Sequence, residues 1–326
     1  MARRAGSIAR TARRPPLLAR VLSRLRGHSG RPPPILDVGA NKISGDKAPA
    51  APAPAAPSGP VAPLDPLTIR QWLWGAGFHT PGNRDYVLNL VKPFAANPAM
   101  SMLDVAAGLG GPARAVAEAF DTYITGLERD PELARRGMDM SIAAGKQRHA
   151  PVSTMDPESF ELKPGTFDGI MARGATYMVQ DKERFLRVLM LGLKPRGQLL
   201  LTEYVVEPSQ TRRPELALWE PLQPFTPKLW TQQQYTDCLK SLGFDIRITE
   251  DITDGVKAQI VIGWDNLLQT IDLKALPREH KRAVVDEAER WVKTIMTLNS
   301  GTLKAYRFYA LAGTSRPAGA GKKAAG

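Results

Sequence analysis

The chain has 326 residues of which 43% are hydrophobic, enough to bury a full core, and its single cysteine, Cys238, excludes an internal disulfide framework and any cysteine-rich metal site. No run of about 18 uncharged apolar residues occurs, so nothing reads as a transmembrane helix. The net charge of +12 resides at the ends, since residues 1–63 hold eleven Lys/Arg against two Asp, residues 314–326 add three cations, and 64–313 balance thirty bases against thirty acids; no nucleic-acid partner is expected of the globular part.

Residues 1–47 read as a disordered basic leader. Within 1–27, Pro15 and Pro16 precede Leu17, Leu18, Val21, Leu22 and Leu25, with Arg20 and Arg24 between. That spacing puts leucines on one helical face and arginines on another. An interfacial helix at an anionic membrane, a transit peptide and a plain leader all fit it, so the expected location is cytoplasmic with peripheral membrane contact left open. Residues 48–66 alternate Ala and Pro and form an extended linker. Leu36-Asp-Val-Gly-Ala-Asn41 superficially repeats a later glycine motif, but no helix-forming segment follows it.

The domain is expected over 67–313, with a tail at 314–326. Residues 67–98 read as aromatic-rich helices around the turn Thr80-Pro81-Gly82-Asn83. Strands and helices then alternate: strand Ser101–Val105, helix Pro112–Phe120, strand Tyr123–Leu127, helix Pro131–Ala144, strand Phe167–Ala172, helix Lys182–Leu193 and strand Gln198–Val205. Helix Thr231–Leu242, strand Asp245–Glu250, about forty helical residues and strand Leu303–Ala312 close the chain. Such alternation argues for a parallel sheet with helices on both faces.

In such sheets ligands bind at the carboxyl ends of the strands. Asp104 ends the first strand, and Gly108, Gly110 and Gly111 follow at once, where the absence of a Cβ lets backbone approach a ligand closely. Ala106-x-Gly108-x-x-Gly111, with Glu128 twenty residues beyond Gly108, is a degenerate dinucleotide fingerprint. Asp104 weighs against that reading. A carboxylate leading into the turn repels a pyrophosphate, but welcomes the ammonium and sulfonium of S-adenosylmethionine.

Met102-Leu-Asp-Val-Ala-Ala-Gly-Leu-Gly-Gly-Pro-Ala-Arg114 resembles the first motif of class I S-adenosylmethionine-dependent methyltransferases, most of all the group acting on sarcosine/dimethylglycine, phosphoethanolamine, tocopherols and sterols. Thr125-Gly-Leu-Glu-Arg129, Met155-Asp-Pro157, Phe167-Asp-Gly-Ile-Met-Ala-Arg173 and Leu193-Lys-Pro-Arg-Gly-Gln-Leu-Leu-Leu-Thr202 resemble the later motifs, in order. Ala106 stands where glycine is usual. The resemblance implies a Rossmann-like, doubly wound α/β fold with a mostly parallel seven-stranded sheet, a helical lid over 67–100, a cofactor core over 101–205, and acceptor-side insertions with the final strands over 206–313. It implies S-adenosylmethionine contacts from Asp104, Ala106, Gly108, Gly110, Glu128, Arg129, Asp156 and Arg173. Glu128 would hold the ribose hydroxyls and Asp156 the adenine amino group.

Methyl transfer from a sulfonium is an in-line displacement that needs alignment and exclusion of water; an amine acceptor needs no strong base, a hydroxyl or carbon does. Trp72–Gly82 resembles a lid, with His79 as base or polar contact. Tyr177 is the other acceptor-side candidate, and Leu218–Trp230 with the insertion 255–300 supplies apolar wall. The expected acceptor is a small molecule or a lipid- or quinone-like one. A methyltransferase-fold partner or assembly factor tethered to a membrane, and an NAD-dependent oxidoreductase, are the alternatives.

Overall fold

The computed structural model describes residues 64–314 apart from 208 and 210–213. The leader, most of the linker, the basic tail and the expectations attached to them lie outside the described residues.

Helix α1 (Pro66–Trp74) starts where Asp65 accepts the Leu67 N–H at 3.0 Å and proline occupies the first turn. Helix α2 (Arg84–Leu90) is capped in the same way by Asn83, which accepts from Tyr86 N at 3.0 Å. Strand β1 (Ser101–Val105) leads through the glycine turn into α3 (Gly111–Phe120), and β2 (Tyr123–Glu128) into α4 (Pro131–Ala143), capped by Asp130. A three-residue strand β3 (Val152–Thr154) follows, then β4 (Phe167–Arg173), α5 (Lys182–Gly192) and β5 (Leu193–Val206). The last part contains α6 (Pro214–Trp219), α7 (Gln232–Ser241), β6 (Phe244–Asp251), α8 (Thr253–Thr270), α9 (Arg278–Asn299) and β7 (Leu303–Ala312).

The strands form one seven-stranded sheet in the order β3-β2-β1-β4-β5-β7-β6. Neighbours from β3 to β5 run parallel, and β7 lies antiparallel between β5 and β6. The Rossmann-like expectation therefore holds, with its seven strands and with the helical insertion α8–α9 directly before β7. β3 was not anticipated, because three residues are too few to show an alternation.

β1 is the first strand made and lies inside the sheet, with order reversing between β1 and β4. By the rule for open α/β sheets, a ligand crevice belongs at their carboxyl ends. Buried side chains pack on both faces, one cluster around α5 and α7 and the other around α1, α8 and α9. α1 is wedged into that second cluster rather than free-standing. Trp74 meets Trp291 edge-on at 5.4 Å, and a methyl group added at Gly263 of α8 would lie 2.1 Å from the Trp74 ring. Glycine at 263 is what allows the indole to seat.

Candidate active site

At the carboxyl ends of β1, β2, β4 and β5 the chain encloses a cavity of about 240 Å³, too large for a packing defect. It brings together Asp104, Ala106, Glu128, Arg129, Arg173, His79 and Tyr177 from the sequence-derived candidates. Gly108, Gly110 and Asp156 are not on its wall.

Asp104 carries the unusual chemistry. Its side chain is fully buried, and neither carboxylate oxygen has a hydrogen-bond partner among the described residues. Burial pushes its pKa up to about 7, with Arg173 opposing the shift and Glu128 adding to it. An ionised carboxylate left in this state is costly and calls for a cationic or proton-donating ligand. Arg173, from the end of β4, is half-buried; its Nη2 donates to the Pro81 carbonyl at 3.3 Å, and desolvation pulls its pKa down. An acid and a base that feel each other's field thus both line the cavity without forming an ion pair.

Glu128, at the end of β2, is bound on both oxygens. One accepts from Gly108 N at 2.7 Å and the other from Asp130 N at 2.9 Å. Burial raises its pKa while these N–H groups oppose the rise. The two bonds orient the carboxylate, and each oxygen keeps a further lone pair for a ligand. Ala106 stands at φ 69° and Gly108 at φ 56°, the left-handed region that the tight turn requires.

Gly108 is covered by the segment that joins α1 to α2. A methyl group there would lie 1.9 Å from Cε1 of His79, so the imidazole rests on the bare backbone. Gly111 N donates to the Gly77 carbonyl at 3.0 Å, tying the same connecting segment to the start of α3. Gly110 serves packing: a methyl group at that position would meet Val152 and the Arg114 guanidinium at 2.7 and 2.8 Å. These two glycines shape the turn from behind, which is why the cavity wall omits them. Gly108→Ala is expected to cost about 1–3 kcal/mol and to expel the imidazole. Thermal denaturation of Gly108→Ala, His79→Gly and the double variant checks this. Recovery of stability in the double variant is expected, and strict additivity would show that the ring contact is not the cause.

His79 is held below the ordinary imidazole range, at about 4, by desolvation and by the positive fields of Arg70 and Arg173. At that value the ring is largely neutral at pH 7 and only weakly basic. Asp156 lies on an exposed turn, where its oxygens accept from Ser159 Oγ at 2.5 Å and Glu158 N at 3.1 Å. It lines a shallow groove that adjoins the cavity through Arg129, Met155 and Phe225. Arg129 spans that lip, its guanidinium 3.8 Å above the Phe225 ring and donating to the Met178 carbonyl at 3.2 Å.

The opposite end is aromatic. Tyr177, Tyr204 and Trp219 lie within 5.4–5.9 Å of one another, centroid to centroid. The Tyr177 hydroxyl donates to Gln223 Oε1 at 3.0 Å, and burial pushes the Tyr177 and Tyr204 hydroxyls above the usual phenol range. Glu203, the β5 residue beneath, accepts three backbone N–H groups, from Ala175, Thr176 and Tyr177, at 3.1, 2.9 and 3.0 Å. It thereby fixes the loop that presents Tyr177. Burial lifts Glu203 to about 7, while those donors and Lys182 favour its charged form. Arg70, Tyr86, Glu203 and Tyr204 escaped the sequence reading, and Trp219, Gln223 and Arg290 were covered only by the ranges Leu218–Trp230 and 255–300. The only available signal was the aromatic content of Leu218–Trp230, which marks a wall without saying which ring faces the cavity.

A family model described as a methyltransferase domain matches residues 82–248, just over half of the chain. Phosphoethanolamine N-methyltransferase 3 of Arabidopsis thaliana is 29% identical over 182 residues, covering 56% of this chain and 36% of its own length. Sterol 24-C-methyltransferase of Yarrowia lipolytica is 25% identical over 196 residues, covering 55% and 51%. Phosphoethanolamine N-methyltransferase 2 of Haemonchus contortus, solved with S-adenosyl-L-methionine, superposes with a TM-score of 0.68 at 20% identity over 76% of this chain and 56% of that one, a likeness of fold. The first curated relatives match only over about a third of their length. Neither the oxidoreductase nor the assembly-factor alternative finds support in these matches. No helix among the described residues is long and apolar enough to cross a membrane. By the match across residues 82–248, and as its ordered motifs predicted, this chain belongs to the methyltransferase domain family of enzymes.

Proposed function

We propose that this chain transfers a methyl group from S-adenosylmethionine to a nitrogen of a small acceptor with an apolar or aromatic body. The observation that carries the reading is Asp104, a fully buried carboxylate with two unpartnered oxygens at the end of β1. Asp104 and Arg173 form a negative–positive pair suited to the ammonium and carboxylate of an amino acid, and Glu128 offers lone pairs to vicinal hydroxyls. Asp156 stands at the lip, where an adenine amino group would reach the adjoining groove.

S-adenosylmethionine supplies a methyl group already activated by its sulfonium. The protein then has to bind, align and keep water out. Phe78, His79 and Pro81 cover the glycine-turn side, and Tyr177, Tyr204, Trp219 and Trp291 wall the acceptor side. At neutral pH the described lining offers little free base: His79 is held near 4, the tyrosine hydroxyls stay protonated, Glu203 is engaged by three N–H groups, and Asp104 faces the cofactor. A neutral amine nitrogen carries its lone pair ready for attack and its product sheds any proton to water, whereas an alcohol must lose its proton as it attacks and an alkene carbon needs a base to take a proton afterwards. The relatives' names range from a phosphorylated ethanolamine to a sterol, so the acceptor class here is taken from the wall itself.

Incubating the protein with methyl-labelled S-adenosylmethionine and matched panels of alkyl or aryl amines, phenols and sterols tests the reading by mass spectrometry. Label on an amine nitrogen is expected. Label confined to phenol oxygen or sterol carbon contradicts the nitrogen assignment, and no label in any panel counts against methyl transfer.

A further inference from the structure

We propose that Arg70 and Arg290 form an anion-binding subsite at the acceptor end of the cavity, and that the acceptor carries a carboxylate or phosphate ester there; the proposal rests on the methyl-transfer reading above. Arg70 comes from α1 and Arg290 from α9, and both line the cavity beside Tyr177, Trp219 and Trp291. One carboxylate serves both. Glu287 is 5% exposed and is gripped by Arg70, with Nε to Oε1 at 2.9 Å and Nη2 to Oε2 at 3.3 Å. Its Oε1 also accepts the Trp291 indole N–H at 2.9 Å. Glu287 thus spends its hydrogen bonds on Arg70 and Trp291.

Arg290 is left with much less. Among the described residues its one ion pair is Nε to Glu287 Oε2 at 3.7 Å, a loose contact beyond hydrogen-bonding range. Its guanidinium is partly desolvated and repelled by Arg70, and both effects pull its pKa down. Of the other acids that line the cavity, Glu203 has its oxygens turned to the backbone of residues 175–177, and Asp104, Glu128 and Asp130 sit at the ends of β1 and β2. Two guanidinium groups against one carboxylate leave a surplus positive charge in an aromatic-walled, half-dry pocket. A guanidinium whose N–H groups have no hydrogen-bond partner among the described residues suits, in such a place, the two-oxygen fork of a carboxylate or phosphate. It also gives the acceptor an orientation. The anionic end lies against α1 and α9, which leaves the other end of the molecule for the cofactor side.

The test is calorimetric. Protein saturated with S-adenosylhomocysteine is titrated with 4-(aminomethyl)benzoate and with its neutral amide, and then with O-phosphotyramine and tyramine, so that the two pairs separate carboxylate from phosphate. At least one anionic probe is expected to bind about tenfold or more tighter than its neutral partner. Arg290→Gln, which leaves the Arg70–Glu287 pair intact, should abolish that preference, and Arg290→Lys should restore part of it. Circular dichroism melts verify that the variants are folded. Equal affinities within both pairs, no binding by either anion, or a preference that survives in Arg290→Gln overturns the subsite. Failure of S-adenosylhomocysteine to bind would instead sink the methyl-transfer reading, and the same titrations on ligand-free protein would still decide the subsite.

Discussion

Replacing Asp104 by asparagine is expected to raise the melting temperature of the ligand-free protein at pH 8 while weakening S-adenosylmethionine binding by about a hundredfold or more. Both halves have one cause. The Asp104 pKa is lifted by burial from 3.8 to about 7, so the folded state resists ionisation that the unfolded chain accepts. For an acid with a raised folded pKa, stability declines as pH climbs from the unfolded value through the folded one and levels off above it. Above pH 7 the penalty is on the order of 4 kcal/mol before relaxation. Asparagine removes the charge but leaves a buried amide, so a net gain of a few degrees is expected. The gain should shrink as pH falls toward the ordinary carboxyl range. Cofactor binding obeys the opposite need, because the ionised form is what holds an ammonium. Wild-type affinity should therefore fall about tenfold per pH unit below 7, and that slope should be absent in Asp104→Asn. Differential scanning fluorimetry and calorimetric titration over pH 5–8 measure both. A variant that neither gains stability nor loses the slope would show that the buried charge has no role in binding.

Glu128→Ala should have an effect of similar size for a different reason. Its carboxylate holds Gly108 N and Asp130 N, and thus fixes the glycine turn of β1 against the end of β2. Alanine leaves two buried N–H groups unpaired and removes two acceptor sites for a diol. Charge-assisted hydrogen bonds contribute about 1.5–3 kcal/mol each, so cofactor affinity should drop by about two orders of magnitude or more. Glu128→Gln separates the roles, since its one amide oxygen can still take one N–H. Loss should be intermediate, and 2′-deoxy-S-adenosylhomocysteine should show less difference between wild type and variant than the parent nucleoside. Equal losses for both ligands would place the effect in the turn alone.

The part of the cavity proposed for the cofactor was legible because it is local. Asp104, Ala106 and Glu128 each sit at or just past the end of a strand with a clear apolar run, and parallel pairing of β1 with β2 places Asp104 opposite Gly126 and Val105 opposite Leu127. Strand ends in such a sheet fall together, so sequence order translates into space. Gly108 and Gly110 follow the same logic, but their missing Cβ atoms receive His79, Val152 and Arg114. Sequence shows that a position must be small and does not show what fills the space. His79 illustrates a second limit: its basicity is set by burial and by Arg70 and Arg173, none of them a sequence neighbour within five residues. The acceptor half was illegible because its members, Arg70, Glu203, Tyr204, Trp219 and Arg290, converge only after α1 packs on α8 and α9 across the sheet. Nothing in the spacing of residues 70, 203 and 290 announces that meeting. Asp156 shows a third limit, a motif position whose carboxylate is occupied by its own turn.

Parallel calorimetric titrations of the wild-type chain and Asp104→Asn with S-adenosylmethionine and with NAD test most directly whether the crevice at β1 and β2 is built for a cationic methyl donor. Saturable one-to-one binding of S-adenosylmethionine, lost in Asp104→Asn, with no heat from NAD, is the predicted result. Binding of NAD in place of S-adenosylmethionine, or S-adenosylmethionine binding that is indifferent to Asp104, would contradict it.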